Sequence, residues 1–266
     1  MQATFIGTGN AFSRRYGHTN ALVEAGEIRM MIDFGHLAPI RLEKYNRNLA
    51  EITHVLISHV HSDHTGGLEE LAFLSHFVHH RKPTLLLPQG LGEQLWEHSL
   101  RGALEWISDK SGEPLQGTLD TYFNRVDLGT DWHDLGPICI RVFHTDHVPE
   151  KDSWGFIVRD TASGDQMIFG CDTRTLHPEL LEDPLSEDFA KGPIFHDCQL
   201  SEVGPWSIHI GLNDIAYPPA VQERIVLVHY EDNLEEYRTA IQEGGFKIAL
   251  PGEVIRLPDW RSSLKG

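Results

Sequence analysis

The sequence predicts a mixed α/β protein. Three observations carry this. Short β-branched and apolar runs recur along the chain, segments with helical spacing of apolar residues separate them, and strand runs gather at the start of each half. The chain has 266 residues, 40% hydrophobic and 23% charged, which is enough apolar material for a sizeable core. It is read as one domain spanning residues 1–266.

In the first half, residues 1–7 read as a strand ending in the loop Gly7-Thr8-Gly9-Asn10. That loop is not a dinucleotide fingerprint, because no helix with the required glycine spacing follows. Residues 21–24 and 29–33 form a hairpin pattern turning at Ala25-Gly26. Residues 37–46 predict a helix, 53–58 a buried strand, 67–80 a helix, 84–87 a strand and 91–108 a helix. In the second half, strands are predicted at 122–127, 138–143, 155–159, 167–170, 193–195, 225–228 and 247–249. Helices are predicted at 213–223 and 233–243, the second capped by Gly244-Gly245.

Composition excludes several classes. Residues 1–7 lack a charged n-region and a long apolar stretch, and no run of eighteen apolar residues occurs, so the expectation is a cytoplasmic protein without a membrane partner. Cys139, Cys171 and Cys198 are too scattered for a disulfide framework or a CxxC zinc site and read as free thiols. The 22 Lys and Arg against 39 Asp and Glu give a formal charge of −17, which repels long polyanions. It leaves room for a small phosphorylated substrate, because bound divalent ions add positive charge locally. The basic clusters Arg14-Arg15 and His79-His80-Arg81-Lys82 are short and read as solvated surface.

The central signal is His59-Val60-His61-Ser62-Asp63-His64, between a predicted strand and a predicted helix. A loop at that junction can direct several side chains to one point, and imidazole and carboxylate are the ligands that borderline divalent ions prefer. One segment cannot fill two metal shells. Further His and Asp residues follow predicted strands downstream: His147 after 138–143, Asp172 after 167–170 and His229 after 225–228.

HxHxDH followed by His, Asp and His resembles the ligand pattern of the metallo-β-lactamase superfamily, across nearly the whole chain. Phe5-Ile6-Gly7-Thr8-Gly9 and Met31-Ile32-Asp33-Phe34-Gly35 are similar to the opening of its ribonuclease Z branch. The resemblance implies an αββα sandwich of two mixed β-sheets flanked by helices, with metals at one edge. It also implies two Zn²⁺ ions, with Mn²⁺ an acceptable substitute for a His-Asp site. His59, His61 and His147 would hold one ion, Asp63, His64 and His229 the other, and Asp172 would bridge them. His147, before Trp154-Gly155-Phe156, matches the family pattern better than His144, which is the alternative.

Two segments of that resemblance point to phosphodiesters. Ile194-Phe195-His196-Asp197-Cys198 is similar to the family's His-Glu-Ala-Thr segment, with Asp197 in place of the usual glutamate. His209 falls where ribonuclease Z-type enzymes place a substrate-facing histidine that protonates the leaving oxygen, with Asp63 orienting the attacking water. His196 reads as an orienting residue, and the loop Arg14-Arg15-Tyr16-Gly17-His18 as a phosphate or base contact or a solvated loop.

One departure decides the branch. The bacterial ribonuclease Z arm that grips transfer RNA is inserted between the third-motif His and the bridging Asp. Here the interval from His147 to Asp172 is filled by strand, turn and strand. An armless core resembles the cyclic-nucleotide phosphodiesterases of the superfamily, including the anti-Pycsar enzymes. Phages use these to destroy cyclic-pyrimidine alarm signals, and they have relatives in bacteria. The expectation is therefore a dimetal phosphodiesterase acting on a small cyclic nucleotide, with no stable nucleic-acid complex. The resemblance also implies a homodimer whose partner subunit helps close each pocket. A transfer-RNA 3′ endonuclease, or a lactonase or thioesterase of the same fold, is the alternative.

Overall fold

The computed structural model describes residues 1–108, 111–182 and 192–264. Among these, the strands in chain order are β1 (Gln2–Gly7), β2 (Asn20–Ala25), β3 (Ile28–Ile32), β4 (His54–Leu56), β5 (Thr84–Pro88), β6 (Trp106–Ser108), β7 (Pro114–Gln116) and β8 (Asn124–Leu128). They continue with β9 (His133–Asp134), β10 (Ile138–His144), β11 (Trp154–Asp160), β12 (Gln166–Phe169), β13 (Ile194–Asp197), β14 (Ile225–Val228), β15 (Lys247–Ile248) and β16 (Val254–Arg256). One sheet runs β16-β1-β2-β3-β4-β5-β8 and the other β15-β14-β13-β12-β11-β10-β9.

Alternation along the strands explains the layering. In β4 and β5, Leu56 and Leu86 face the partner sheet, while Val55, Leu85 and Leu87 face helices outside. These strands are buried on both faces and read as unbroken apolar runs, as parallel strands do. The inter-sheet core joins Phe5, Val23, Met30 and Ile32 to Ile140, Phe156, Met167, Phe195 and Val228. Helices Ala38–Lys44, Leu68–Phe73 and Leu91–Leu95 cover the first sheet through Leu42, Leu71 and Leu95. Helix Leu234–Glu243 covers the second through Leu234 and Ile241. The result is the four-layer αββα order.

The strand directions position the site. β3, β4, β5 and β8 are parallel, as are β12, β13, β14 and β15. Residues just past the C-terminal ends of β3, β4, β12, β13 and β14 therefore collect at one edge of the sandwich, the usual place for a ligand site in open α/β sheets.

Several expected elements end differently. The predicted helix 91–108 stops at Leu104, after a π-helical turn at Trp96–Leu100, and its last residues form β6, which pairs with β7 as a separate hairpin. The predicted helix 213–223 is a 3₁₀ turn Leu212–Asp214 and a helix Pro219–Gln222, because Pro218 and Pro219 cannot continue a hydrogen-bonded helix. Tyr122 ends the helical turn Leu119–Tyr122, so β8 begins at Asn124 rather than 122. The hairpin between β2 and β3 turns one residue later than expected, at Gly26-Glu27. β9 and β16 carried no sequence signal, being short and set at sheet edges.

Phe195 packs its ring against Phe5 and Phe169 at 4.8 and 4.9 Å in the middle of this core. Phe195→Ala is expected to destabilise the protein by about 3–5 kcal/mol. The control Phe12→Ala, at a residue 86% exposed, should shift stability by less than about 0.5 kcal/mol. Urea midpoints of the two variants check both.

Candidate metal centre

β4 ends at Leu56, and the chain passes through His59 and His61 into the helical turn Ser62–Thr65. That turn is pinned from below. Phe34 N donates to the His64 carbonyl at 2.7 Å, and Asn20 Nδ2 to the Asp63 carbonyl at 3.3 Å. A Cβ at Gly35 would lie 1.9 Å from the Asp63 carbonyl, so only glycine permits this approach. Asp172 follows β12, and His229 follows β14 with its N–H on the Thr8 carbonyl at 2.7 Å. The Gly7-Thr8-Gly9-Asn10 loop thus props the last histidine.

These segments bring the predicted residues together. His59, His61, His147 and Asp172 offer ligand atoms all within 4.8 Å of one another, and so do Asp63, His64, Asp172 and His229. Asp172 Oδ2 is common to both groups. It lies 3.8 Å from His59 Nε2, 3.7 Å from His147 Nε2, and 3.3 Å from both His64 Nε2 and His229 Nε2. Asp63 Oδ2 is 3.1 Å from His64 Nε2 and 3.7 Å from His229 Nε2. His61 Nδ1 is 2.8 Å from His59 Nε2 and 3.3 Å from His147 Nε2. Donors bonded tetrahedrally at about 2.0–2.1 Å from one zinc ion sit roughly 3.3–3.4 Å apart. The donor set fits that spacing.

His144, the alternative to His147, ends β10 exposed, its ring 3.7 Å from that of Trp154 and away from the cluster. The Arg14-Arg15 loop is also held elsewhere. Both backbone N–H groups donate to Asp232, and the Arg15 guanidinium lies 3.6 Å from Glu235. His18 is buried against His36, with ring centroids 4.2 Å apart.

Electrostatics point to bound cations. Asp33, Asp63, Asp172 and Asp197 are all buried at this edge. Uncompensated charge in such a place costs several kcal/mol per group, so the pocket requires positive charge. Burial disfavours the carboxylate of Asp172, yet His229, His64 and His59 hold it well below the usual range. Burial likewise opposes ionisation of Asp63, and His64 and His229 overcome it. Burial also lowers His64, but Asp172, Asp63 and Asp33 raise it well above an ordinary imidazole. Burial keeps His59 neutral and takes His61 down to about 4, leaving both with a lone pair for a metal. The buried Nε2 atoms of His64 and His229 make no acceptable hydrogen bond within the protein, as expected of atoms meant for an ion.

A second set of contacts orients these rings. Asp33 Oδ2 accepts from His64 Nδ1 at 2.7 Å and from the Ser58 hydroxyl at 2.8 Å, while Asp33 Oδ1 accepts from the Ser58 N–H at 2.8 Å. His147 Nδ1 is fixed on the Ile208 carbonyl at 3.1 Å. Asp197 lies 2.6 Å from His209 Nδ1 and 3.2 Å from His229 Nδ1, and accepts from Thr173 N at 3.0 Å. His209, Asp197 and His229 form a third close group. The 2.6 Å contact reads as a charge-assisted hydrogen bond, so we take Asp197 as an orienting residue. His196 stands back from the cluster, its Nε2 on the Tyr217 hydroxyl at 3.0 Å and its pKa taken by burial down to about 4. In the sequence, Asp33 stands only at the end of a hairpin pattern. Its signal was its place, directly after a strand adjacent to the one feeding the histidine motif.

The profile of the family described as anti-Pycsar protein Apyc1 matches residues 1–254. The chain belongs to the anti-Pycsar Apyc1 family. Anti-Pycsar protein Apyc1 of Saccharibacillus brassicae is 36% identical over 240 residues, 89% of this chain and 93% of that protein. Anti-Pycsar protein Apyc1 of Bacillus phage 010DV004 is 34% identical over 267 residues, 97% of this chain and 98% of that one. Among solved structures, the metallo-β-lactamase fold protein YhfI from Bacillus subtilis superposes with a TM-score of 0.69 at 17% identity, covering 95% of this chain and 98% of that chain. The αββα fold of this Apyc1-family chain is thus a metallo-β-lactamase fold, and the protein is a divalent-metal hydrolase.

Three variants test the ligand geometry by metal content and chelator competition. His147→Ala should lose bound metal, whereas His144→Ala should retain the wild-type amount. Asp33→Ala should weaken metal affinity by about 10–100-fold, because the His64 ring loses its orienting partner. Chelation of the wild-type protein should lower its thermal midpoint, since the buried carboxylates then lose their counter-charge.

Proposed function

We propose that the protein hydrolyses the phosphodiester of 3′,5′-cyclic nucleotides, with two divalent ions, Zn²⁺ or Mn²⁺, in the centre. The observation that carries this is the shared Asp172 oxygen between two complete donor sets, with His209 beside them at the surface. His59, His61 and His147 would hold one ion and Asp63, His64 and His229 the other. Such ions supply positive charge that lowers the pKa of water and offsets the charge of a phosphate.

The protein's own groups supply the rest. Asp63, whose Oδ2 lies 3.1 Å from His64 Nε2 and 3.7 Å from His229 Nε2, orients the attacking water and takes its proton. His209 lies between the metal cluster and solvent, its ring centroid 5.1 Å from that of His147 and 4.7 Å from that of His229, with its side chain 20% exposed. Asp197 on Nδ1 fixes the ring so that Nε2 points away. His209 Nε2 can then protonate the departing ribose oxygen.

The relatives named anti-Pycsar, from both a bacterium and a phage, favour an immune cyclic-pyrimidine signal as substrate. Transfer RNA fits poorly, because the stretch from His147 to Asp172 is taken up by β11, a turn and β12, and the −17 charge repels a large RNA. No helix among the described residues is long and apolar enough to cross a membrane. We place the enzyme in the cytoplasm as a homodimer of one-domain subunits, on the resemblance to the family.

Asp63→Ala should lose most cyclic-nucleotide hydrolysis. His209→Ala should lose turnover while keeping its full metal content, and loss of metal from it would refute the division of roles. Turnover of a panel of 3′,5′-cyclic mononucleotides beside precursor transfer RNA tests the substrate. RNA cleavage without cyclic-nucleotide turnover would overturn the proposal.

A further inference from the structure

The ligands of the metal centre are not equally enclosed. His59, Asp63, His64, His147, Asp172 and His229 are buried, and His61 alone is half-buried. An anion that approaches the first donor set therefore passes His61, and the charges beside that ring decide how it is received.

The loop after β10 brings Lys151 to this place. Lys151 follows the ligand His147 by four residues, and its N–H closes a turn on the Val148 carbonyl at 3.1 Å. The ends of such a turn lie within about 7 Å of each other, so the four-carbon stem leaves from beside a metal ligand. The loop is tied at its base and on its flank. Thr145 N–H donates to the Ser153 carbonyl at 2.9 Å and the Thr145 hydroxyl to the Ser153 hydroxyl at 2.8 Å. Gln94 Nε2, on the helix Leu91–Leu95, donates to Asp152 Oδ2 at 2.8 Å. Lys151 itself is half-buried. Burial first, and then the Lys151 ammonium, take His61 down to about 4, so the lysine charge acts directly on that ring.

Other cations near this edge are committed. The Arg174 guanidinium is held by Asp146 Oδ1 at 2.6 Å, and that of Arg15 lies 3.6 Å from Glu235. Among the described residues no carboxylate pairs with the Lys151 ammonium. In a chain of formal charge −17, an unpaired cation beside the one half-buried ligand suits an anion that arrives from solvent. We infer that Lys151 binds the substrate, its ammonium pairing from the His61 side with a non-bridging oxygen of the phosphate held at the metal centre. The identity of that phosphate rests on the cyclic-nucleotide reading above. A lysine suits this task because it holds phosphate as a point charge with three rotatable donors and needs no fixed fork geometry.

The test compares the metal-loaded wild type with Lys151→Met, which keeps the stem and removes the charge, and with Lys151→Arg, which restores it. Three quantities are measured: metal content, the calorimetric Kd of inorganic phosphate, and kcat and KM for a 3′,5′-cyclic mononucleotide. Lys151→Met should keep its full metal content and raise both the phosphate Kd and KM by about tenfold or more, the loss of one charge-assisted hydrogen bond. Lys151→Arg should stay within about threefold of the wild type in both, because the point charge is back. An unchanged phosphate Kd in Lys151→Met, or loss of metal from it, overturns the inference while leaving cyclic-nucleotide hydrolysis standing. If the wild type hydrolyses no cyclic nucleotide, the functional reading falls, and the phosphate Kd of the two variants still decides the role of Lys151.

Discussion

The structure depends on one constraint: negative charge gathered at a dry sheet edge must be matched. Asp33, Asp63, Asp172 and Asp197 are each 6% exposed or less, and Asp172 Oδ2 faces four imidazole nitrogens at 3.3–3.8 Å. No arrangement of neutral histidines alone offsets that charge. Divalent cations held by the two donor sets would match that charge, so the geometry and the chemistry of the cluster share one origin. The contacts behind it serve the same end, since Asp33 on His64 and Asp197 on His229 fix which nitrogen each ring presents.

Holding these groups in place has a local cost in the backbone. Asp33, Cys171 and His229 adopt φ values of 58°, 50° and 63°, a left-handed conformation that L-residues other than Asn and Asp avoid. All three sit just past the end of a strand that feeds the centre. The surrounding structure overrides the preference: Ser58 binds the Asp33 carboxylate, and the His229 N–H is tied to Thr8. The four-layer packing behind the edge makes such turns tolerable, because β4, β12, β13 and β14 are clamped on both faces.

The sequence by itself determined the α/β alternation, the histidine-rich turn after β4, and the strand-end positions of His147, Asp172 and His229. These are local signals: apolar runs long enough for a buried strand, followed at once by polar residues that no core would accept. It also carried the family resemblance, because those positions keep their order along nearly the whole chain. It did not determine the short edge strands β9 and β16, whose pairing comes from neighbours far away in sequence. It placed one helix across Pro218 and Pro219 and another into β6, where periodicity looked continuous but backbone donors and hairpin pairing decided otherwise. Only the tertiary structure showed that His147 and not His144 reaches the cluster and that Asp33 orients His64. Each of those facts rests on side chains from distant segments meeting at a few ångströms, and such a distance is set by packing rather than by residue spacing.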